Sequence, residues 1–267
     1  MRIIVCVKQI PDPEVPPSKF KIDPEAKRVI PPEGIPPVMS LYDEQAVEAA
    51  LRIKDKQECE VIAISLGSNT AEDVIRHALA MGADEGLLIG EEGIEGGDSF
   101  STAYILSQTI KKIGKYDLIL CGRQAADWDV GAVGPLIAEN LGISAITFVK
   151  SVEPKNGNLL RAERVIEGGH EVIEVVTPAV VIVTTELGEP RIPSAWGTIS
   201  AARKEIPKWT IQELELDSSL IGAGGARSEL HKLYIPSHER NCEIVGGETV
   251  AEATAGLVVK LWEKGLI

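Results

Sequence analysis

The chain has 267 residues, of which 44% are hydrophobic and 25% are charged, and its formal net charge is -13. These proportions are typical of a globular protein, and the length suits one large domain or one domain with a sizeable appendage. A nucleic-acid-binding protein needs a positively charged surface, so the acidic balance argues against that class.

Cysteine and histidine spacing gives no sign of a metal centre. No CxxC pair occurs among the four cysteines, which are Cys6, Cys59, Cys121 and Cys242, and the four histidines show no metal-ligand spacing. Cys6 and Cys121 end apolar strand patterns, which predicts buried, unreactive thiols. We expect no signal peptide, because MRIIVCVKQI is a charged start followed by too short an apolar run. We expect no membrane insertion, because no apolar stretch reaches the roughly 18 residues of a membrane span. A reducing cytosol or an organelle matrix fits this pattern, and the cytoplasm is the expected location.

The first half of the chain alternates patterns typical of strands and helices. RIIVCVKQI predicts a first strand, and the proline-rich stretch from Pro11 to Pro37 predicts an edge hairpin around FKIDPEAKRVI. SLYDEQAVEAALRIKDK predicts a helix, and ECEVIAISLG predicts a buried strand. NTAEDVIRHALAMG predicts a helix that is capped by Asn69 or Thr70 and ends at Gly82. The strand EGLLIG, a helix from about Asp98 to Lys112 and the strand DLILC follow.

Apolar strands separated by helices indicate a mostly parallel sheet that is covered by helices on both faces. We therefore predict a doubly wound α/β domain over residues 1–200. Such a domain binds ligands beyond the carboxyl ends of its strands, where the winding direction reverses. The expected ligand loops follow Ile10, Leu66, Ile89 and Cys121.

The second half of the chain has a different pattern. From about Ile143 it predicts strands joined by short turns, with NGN as a hairpin signal. ISAARKE predicts a short helix, and TVAEATAGLVVKLWEKG predicts a final amphipathic helix with an apolar face of Val250, Leu257, Val258, Leu261 and Trp262. Residues 201–267 lack a core of their own, so we expect this arm to pack on the parent domain or on another subunit.

The stretch CGRQAADWDVGAVGPL (121–136) carries more polar side chains than a turn requires. Gly131 and Gly134 stand where a helix begins after a strand, and the free amides and positive dipole of such a start bind phosphate. Donors and acceptors for a ribose and a base are supplied by Arg123, Gln124, Asp127 and Asp129. We therefore predict a nucleotide site, although the GxGxxG and phosphate-loop patterns are both missing.

Two other polar positions allow alternatives. In GGDSFSTA (96–103), Asp98 or Ser99 is either a helix N-cap or part of a phosphate loop. Lys8 is either solvated or lies beneath the nucleotide. The sequence shows no Ser-His-Asp set, no HExxH motif and no close pair of catalytic carboxylates, so any chemistry is expected to belong to a bound cofactor.

Ordered stretches along almost the whole chain resemble one family. They are VCVKQIPD, MSLYDEQAVEAALRIK, LAMGADEG, LILCGRQAADWD, VGPLIAENLG, RVIEGGHEVIEVVTPAVV and GEPRIPSAWGTISAARKEIP. They resemble the small (beta) subunit of electron transfer flavoproteins, the ETF-beta/FixA family. The resemblance implies a doubly wound nucleotide-binding domain whose C-terminal arm, residues 201–267, docks on an alpha subunit that carries an FAD.

The resemblance also implies a cofactor in this chain. Most members hold a structural AMP. In electron-bifurcating members a second FAD takes a hydride from NADH and splits the electron pair between a high-potential acceptor and a low-potential one, such as ferredoxin or flavodoxin. AMP-binding members resemble DDDxNQTGQ where this chain has DWDVGAVGP (127–135), and bifurcating members resemble DGDTAQVGP. Val133 and Pro135 remove the polar side chains that close the pocket around a monophosphate. We therefore expect FAD, with AMP as the alternative.

Further positions bear on that choice. GGDSFSTA resembles the GADTLATS of bifurcating members at Asp98, Ser99 and Thr102, and KEIP (204–207) resembles their KxEIP pattern. Trp128 and the pair Gly131–Ala132 depart from the family's usual residues. The residues expected to contact the cofactor are Cys6, Lys8, Ser40, Leu66, Asp98, Ser99, Thr102, Gly122, Arg123, Gln124, Asp129, Val130, Gly131, Ala132, Val133, Gly134 and Pro135.

The family's partner-recognition loop resembles RYATLPN, which presents an apolar anchor. This chain reads RIPSAWGT, with Ala195 at the anchor position and Trp196 beside it. An exposed aromatic residue is a strong binding hot spot. We therefore expect a redox partner that differs from the usual acyl-CoA dehydrogenase, either another dehydrogenase or a membrane-associated oxidoreductase.

The resemblance makes the chain an electron carrier and, if it bifurcates, part of an NADH-dependent flavin oxidoreductase complex. The rival hypothesis is a stand-alone nucleotide-binding regulator of the universal-stress type. The C-terminal arm and the match at RIPSAWGT argue against that rival.

Overall fold

The computed structural model describes residues 1–90, 92–236 and 242–267, and they form two units, Met1–Lys232 and Leu233–Ile267. In chain order the strands are β1 (Arg2–Cys6), β2 (Gln9–Ile10), β3 (Lys21–Asp23), β4 (Arg28–Ile30), β5 (Val38–Met39), β6 (Glu60–Gly67), β7 (Glu85–Gly90), β8 (Leu118–Gly122), β9 (Ser144–Pro154), β10 (Leu159–Ile166), β11 (Gly169–Val176), β12 (Ala179–Val183) and β13 (Lys208–Trp209). The helices are α1 (Leu41–Lys54), α2 (Glu72–Met81), α3 (Ser99–Ile113), α4 (Val133–Leu141), α5 (Ala195–Arg203), α6 (Gly222–Gly225) and α7 (Val250–Glu263).

One large sheet forms the centre of the first unit. In the described part of the chain it has nine strands in the order β11-β10-β9-β12-β8-β1-β6-β7-β13. Strands β9, β12, β8, β1, β6, β7 and β13 pair in parallel, and β9, β10 and β11 pair antiparallel. This arrangement confirms the predicted doubly wound, mostly parallel fold.

Helices cover both faces of the sheet because alternate strand residues point to opposite sides. Ile3 and Val5 of β1 belong to a buried cluster that includes α1, α2 and the end of α5. Ile4 and Cys6 belong to a second cluster with α3 and α4. Both faces of the central strands are therefore buried, which explains their unbroken apolar sequences.

Two local predictions need correction. Asn69 and Thr70 do not cap α2; they form a 3-10 turn, and α2 begins after Ala71 without a capping side chain. The Thr70 hydroxyl instead donates to the side-chain oxygen of Gln9 at 2.7 Å. The predicted hairpin around FKIDPEAKRVI exists, but β3 and β4 form a separate two-stranded sheet and not an edge of the large one.

The C-terminal segment is divided between the two units. Residues 201–232, which the sequence analysis assigns to the arm, lie in the first unit, where β13 pairs with β7 in parallel. In the second unit, Thr249 caps α7, and Lys260 and Lys264 pair with Glu243. The side chains of Val250 and Trp262 on α7 are exposed. None of the described helices is both long enough and apolar enough to span a membrane.

Packing of α2 against β7 depends on Gly86. A Cβ built at Gly86 overlaps Cγ2 of Ile75, a buried β-branched side chain whose χ1 rotation is restricted. We predict that Gly86→Ala lowers the free energy of unfolding by about 1–3 kcal/mol, because it overpacks a dense interface. Gly169→Ala, where the added Cβ meets nothing within 4 Å, is the matched control and should change stability by less than about 0.5 kcal/mol. Urea denaturation of both variants measures the difference, and equal effects would contradict this packing.

Candidate functional site

The candidate site lies where the winding of the sheet reverses. From β1 the chain moves outward to β6 and β7, and it then returns through α3 to β8 on the other side of β1. The carboxyl ends of β1 and β8 therefore stand side by side at the position where doubly wound sheets bind ligands. We call residues 7–8, after β1, and residues 123–132, after β8, the switch-point loops.

An ion pair joins the two switch-point loops. The ammonium of Lys8 lies 2.8 Å from Oδ1 and 2.7 Å from Oδ2 of Asp127. The Lys8 side chain is 45% exposed and that of Asp127 is 14% exposed. Lys8 is therefore not simply solvated, and the carboxylate that holds it comes from the polar stretch that follows β8.

Asp43 lies beneath this ion pair. It belongs to the first turn of α1, and its buried carboxylate accepts a hydrogen bond from the backbone amide of Lys8 at 2.8 Å. Burial raises the pKa of Asp43 to about 7. The hydrogen bonds from the amides of Lys8 and Gly122, and the positive charge of Lys8, act in the opposite direction but do not outweigh burial. A Cβ built at Gly122 overlaps the Asp43 carboxylate, so a glycine is needed for this approach.

Sequence reasoning missed Asp43 as a site residue. Asp43 lies in the first turn of a helix, where acidic residues are common because they interact favourably with the helix dipole, so its residue type gave no reason to assign it to the site. The usable signal was position: α1 starts at the same edge of the sheet as the predicted ligand loops.

The loop after β8 is held by its own polar groups. The Gln124 side chain donates to Oδ1 of Asp129 at 2.7 Å. The buried Ser40 hydroxyl makes long contacts with the carbonyl of Gln124, at 3.5 Å, and the amide of Ala126, at 3.4 Å. The structure thus brings together Lys8, Ser40, Gln124 and the aspartates of this loop.

Helix α4 begins at the end of this loop without a capping side chain. Its N-cap is Ala132, and its first residues, Val133, Gly134 and Pro135, have no polar side chain to cover the free amides, of which Pro135 supplies none. A Cβ built at Gly134 falls 2.7 Å from Cγ1 of Ile182, so the missing side chain lets the helix start pack closely on β12. Free amides at a helix start attract a phosphate group.

The start of α3 differs from that of α4, because a side chain caps α3. Asp98 accepts hydrogen bonds from the amides of Phe100 and Ser101, which confirms the N-cap interpretation. Its other oxygen accepts from the amides of Arg227 and Ser228 and from the Ser228 hydroxyl. Burial acts to raise the pKa of Asp98, but these hydrogen bonds outweigh it and lower the pKa.

The other predicted contact residues lie at the same edge of the sheet. Cys6 and Cys121 are paired in register and buried, as predicted, and a hydrogen bond with Cys6, together with burial, raises the pKa of the Cys121 thiol. Leu66 is half-buried near the end of β6, and Ser99 and Thr102 are half-buried in the first turn of α3.

Arg123 begins the loop after β8, and Val130 lies in its second half. Arg123 places its guanidinium over the ring of Phe148, at 4.9 Å from the centroid. Phe148 has a φ of 57°, an unusual backbone conformation for an aromatic residue, where β9 departs from regular pairing with β12. Val130 and Trp128 are exposed.

Ala195 and Trp196 begin α5, away from these loops in sequence. Ser194 caps the helix, and both Ala195 and Trp196 are exposed, Trp196 at 77%. Arg191, just before them, binds the buried Glu48 through Nε at 2.8 Å and Asp55 through Nη2 at 2.7 Å. Lys204 of the KEIP pattern donates to the carbonyls of Ala83 and Asp84, so its contacts here are structural.

Neither a metal-ligand cluster nor a surface concavity provides a second candidate site in the described part of the chain. Within the described residues, which do not include His238, no three His, Cys, Asp or Glu side chains are placed to hold a metal ion. A surface concavity lined by Met1, Arg2, Cys59, Asp84 and Lys115 lies at the amino ends of the strands. Doubly wound sheets place their ligands at the opposite edge.

Comparisons with known proteins agree with this architecture. The family model of the electron transfer flavoprotein domain matches residues 29–214. The chain is 40% identical over 268 residues to the electron transfer flavoprotein subunit beta of Thermoanaerobacterium thermosaccharolyticum. It is 36% identical over 268 residues to the caffeyl-CoA reductase-Etf complex subunit CarD of Acetobacterium woodii, and 33% identical over 274 residues to the acryloyl-CoA reductase electron transfer subunit gamma of Anaerotignum propionicum. Each match covers 100% of both chains.

The raised pKa of Asp43 predicts a stability effect with a defined sign. Between pH 4 and 7 the unfolded chain releases this proton while the folded chain keeps it, so the contribution of Asp43 to stability falls as pH rises. We expect the free energy of unfolding of Asp43→Asn, relative to the parent, to rise by up to about 4 kcal/mol from pH 4 to pH 8.

Glu48→Gln is the control with the opposite sign. Burial acts to raise the pKa of Glu48, but hydrogen bonds from Arg191 and Arg52 outweigh it and lower the pKa. The relative stability of Glu48→Gln should therefore fall as pH rises. Denaturant titrations at several pH values test both variants, and a flat difference for Asp43→Asn would contradict the buried carboxylate.

Proposed function

Since the chain belongs to the ETF-beta/FixA family of electron transfer flavoproteins, it is the small subunit of an electron transfer complex, and we propose that its switch-point loops hold FAD. The main support for this proposal is the uncapped start of α4. It stands at the reversal point of the sheet with free amides, no capping side chain and no polar residue at Val133 or Pro135.

The residues present fit a phosphate-bearing cofactor. The free amides of α4 supply donors and the positive end of the helix dipole, and Lys8 supplies a nearby cation. Bound FAD would supply the redox chemistry, including acceptance of a hydride from NADH. The protein's own groups orient the cofactor through the loop that Ser40 and Gln124 hold in place.

AMP is the alternative occupant, because its phosphate would find the same free amides. Two observations favour FAD. The first turn of α4 offers no side-chain donor to close the site around a single phosphate. Trp128 and Val130 also leave apolar surface exposed beside the loop, where a larger cofactor or the second subunit would cover it.

The proposed assembly is a heterodimer with an alpha subunit that carries its own FAD. The exposed apolar side chains of the arm, among them Val250 and Trp262, supply surface for that contact. In the bifurcating form, NADH is the hydride donor, and ferredoxin or flavodoxin is the low-potential acceptor. The redox partner, a dehydrogenase or a membrane-associated oxidoreductase, docks on the segment that carries Ala195 and Trp196.

Cofactor content tests the central proposal. We expect acid denaturation of the purified heterodimer to release two FAD per dimer and no AMP, measured by chromatography against standards. The Val133→Thr, Pro135→Gln double variant restores polar residues to the first turn of α4 and should increase retention of AMP. Release of one FAD and one AMP from the parent heterodimer would refute the FAD assignment.

Exposure of Trp196 predicts its part in partner docking. We expect Trp196→Ala to raise the KM for the redox-partner dehydrogenase by about 10-fold or more and to leave kcat at saturation unchanged, because the anchor contributes to binding and not to chemistry. Phe20→Ala, which removes an exposed aromatic side chain of the proline-rich stretch, serves as the control. Steady-state reduction of the dehydrogenase measures both constants, and an unchanged KM would exclude Trp196 as the anchor.

A further inference from the structure

The switch-point loops contain two cations, Lys8 and Arg123, and neither is free of a protein partner. Arg123 lies over the ring of Phe148. Lys8 is held by Asp127. A phosphate that enters this site therefore meets cations that already have anionic or aromatic partners.

The Asp127 carboxylate binds the Lys8 ammonium in the way that an anionic ligand would. Both carboxylate oxygens lie within 2.8 Å of the Lys8 ammonium, so Asp127 occupies the position that two oxygens of a phosphate would take. Lys8 keeps 45% of its side chain exposed, so an entering anion can reach this side chain. Asp127 belongs to the same loop that leads to the free amides of α4.

The charges around the Lys8–Asp127 pair are mostly negative. Asp43 lies below Lys8 and Asp129 lies further along the loop after β8, so carboxylates outnumber cations here. A phosphate would gain little from Lys8 while Asp127 remains bound to it. The Lys8 ammonium can direct its hydrogen bonds to the phosphate only after its ion pair with Asp127 has opened.

We propose that Asp127 is an internal counter-ion that competes with the cofactor's phosphate for Lys8, so that phosphate binding opens the Lys8–Asp127 ion pair. This inference rests on the proposed nucleotide function of the switch-point loops and holds for either FAD or AMP. Asp127 then lowers the affinity for the phosphate part of the cofactor alone. Lys8 is the residue that contacts the phosphate.

The ratio of the Kd for adenosine to the Kd for AMP isolates the contribution of the phosphate. The purified heterodimer, freed of nucleotide at this site, is titrated with each ligand by calorimetry, and FAD is titrated in parallel. We expect Asp127→Asn to raise the ratio by about 5- to 10-fold and Lys8→Met to lower it below the parent value, with the amides of α4 left as the remaining phosphate donors. The double variant should behave as Lys8→Met, because the counter-ion has no role once the cation is gone. FAD affinity should change in the same directions.

Asp73→Asn is the matched control. Asp73 is an exposed aspartate in the first turn of α2, so the variant changes the net charge equally but leaves the ion pair in place. Its ratio should stay within twofold of the parent. Thermal melts confirm that each variant is folded, and Asp127→Ser replaces Asp127→Asn if the latter does not fold.

Each outcome decides the inference. A ratio that is unchanged or lowered in Asp127→Asn shows that the ion pair only ties the loops together, and the inference is then wrong although the chain still binds nucleotides. A parent-like ratio in Lys8→Met also overturns it. If the parent heterodimer binds adenosine, AMP and FAD in no measurable amount at this site, the proposed function itself fails and the inference fails with it.

Discussion

The buried carboxylate of Asp43 is the interaction on which the candidate site depends. It joins three elements that are distant in sequence: the start of α1, the exit of β1 through the amide of Lys8, and the end of β8 at Gly122. Burial penalises the charged form and raises the pKa of Asp43 to about 7, and the backbone amides at two strand ends offset only part of that cost. Because the amides belong to the strands on either side of the winding reversal, the carboxylate fixes the relative position of the two switch-point loops.

Most of the fold could be predicted from the sequence, because strand and helix periodicities report burial directly. Uninterrupted apolar strands such as β1 and β8 are buried on both faces, and their loops could be assigned to the ligand edge. Capping was harder to predict. Thr70 is a good N-cap residue type, but its hydroxyl binds Gln9, which is 61 residues away in sequence. Local sequence does not contain that competition.

The C-terminal segment shows a second limit of sequence reasoning. Strand β13 has only two residues, Lys208 and Trp209, too few for any periodic pattern, yet it extends the sheet beside β7. Asp98 binds Arg227 and Ser228, contacts that no spacing rule could suggest. Such pairings depend on where the folded chain returns, so a segment that looked like an arm without a core belongs to the first unit as far as Lys232.

The candidate site could be located but not fully described from the sequence, and the reason is electrostatic. Sequence order identified the polar loop after β8, and it left open whether Lys8 is solvated or beneath a ligand. The structure adds a third state, in which Lys8 is held by Asp127 from that same loop. In an acidic protein, an unpaired cation at a ligand edge attracts many anions, so under the proposed competition the internal carboxylate would make the site selective. A ligand that brings only a negative charge exchanges one anion for another and gains little. The amides of α4 serve a free phosphate and a nucleotide phosphate alike, so under the proposed exchange a ligand gains more than the exchange costs only through further contacts, such as those of a ribose and a base.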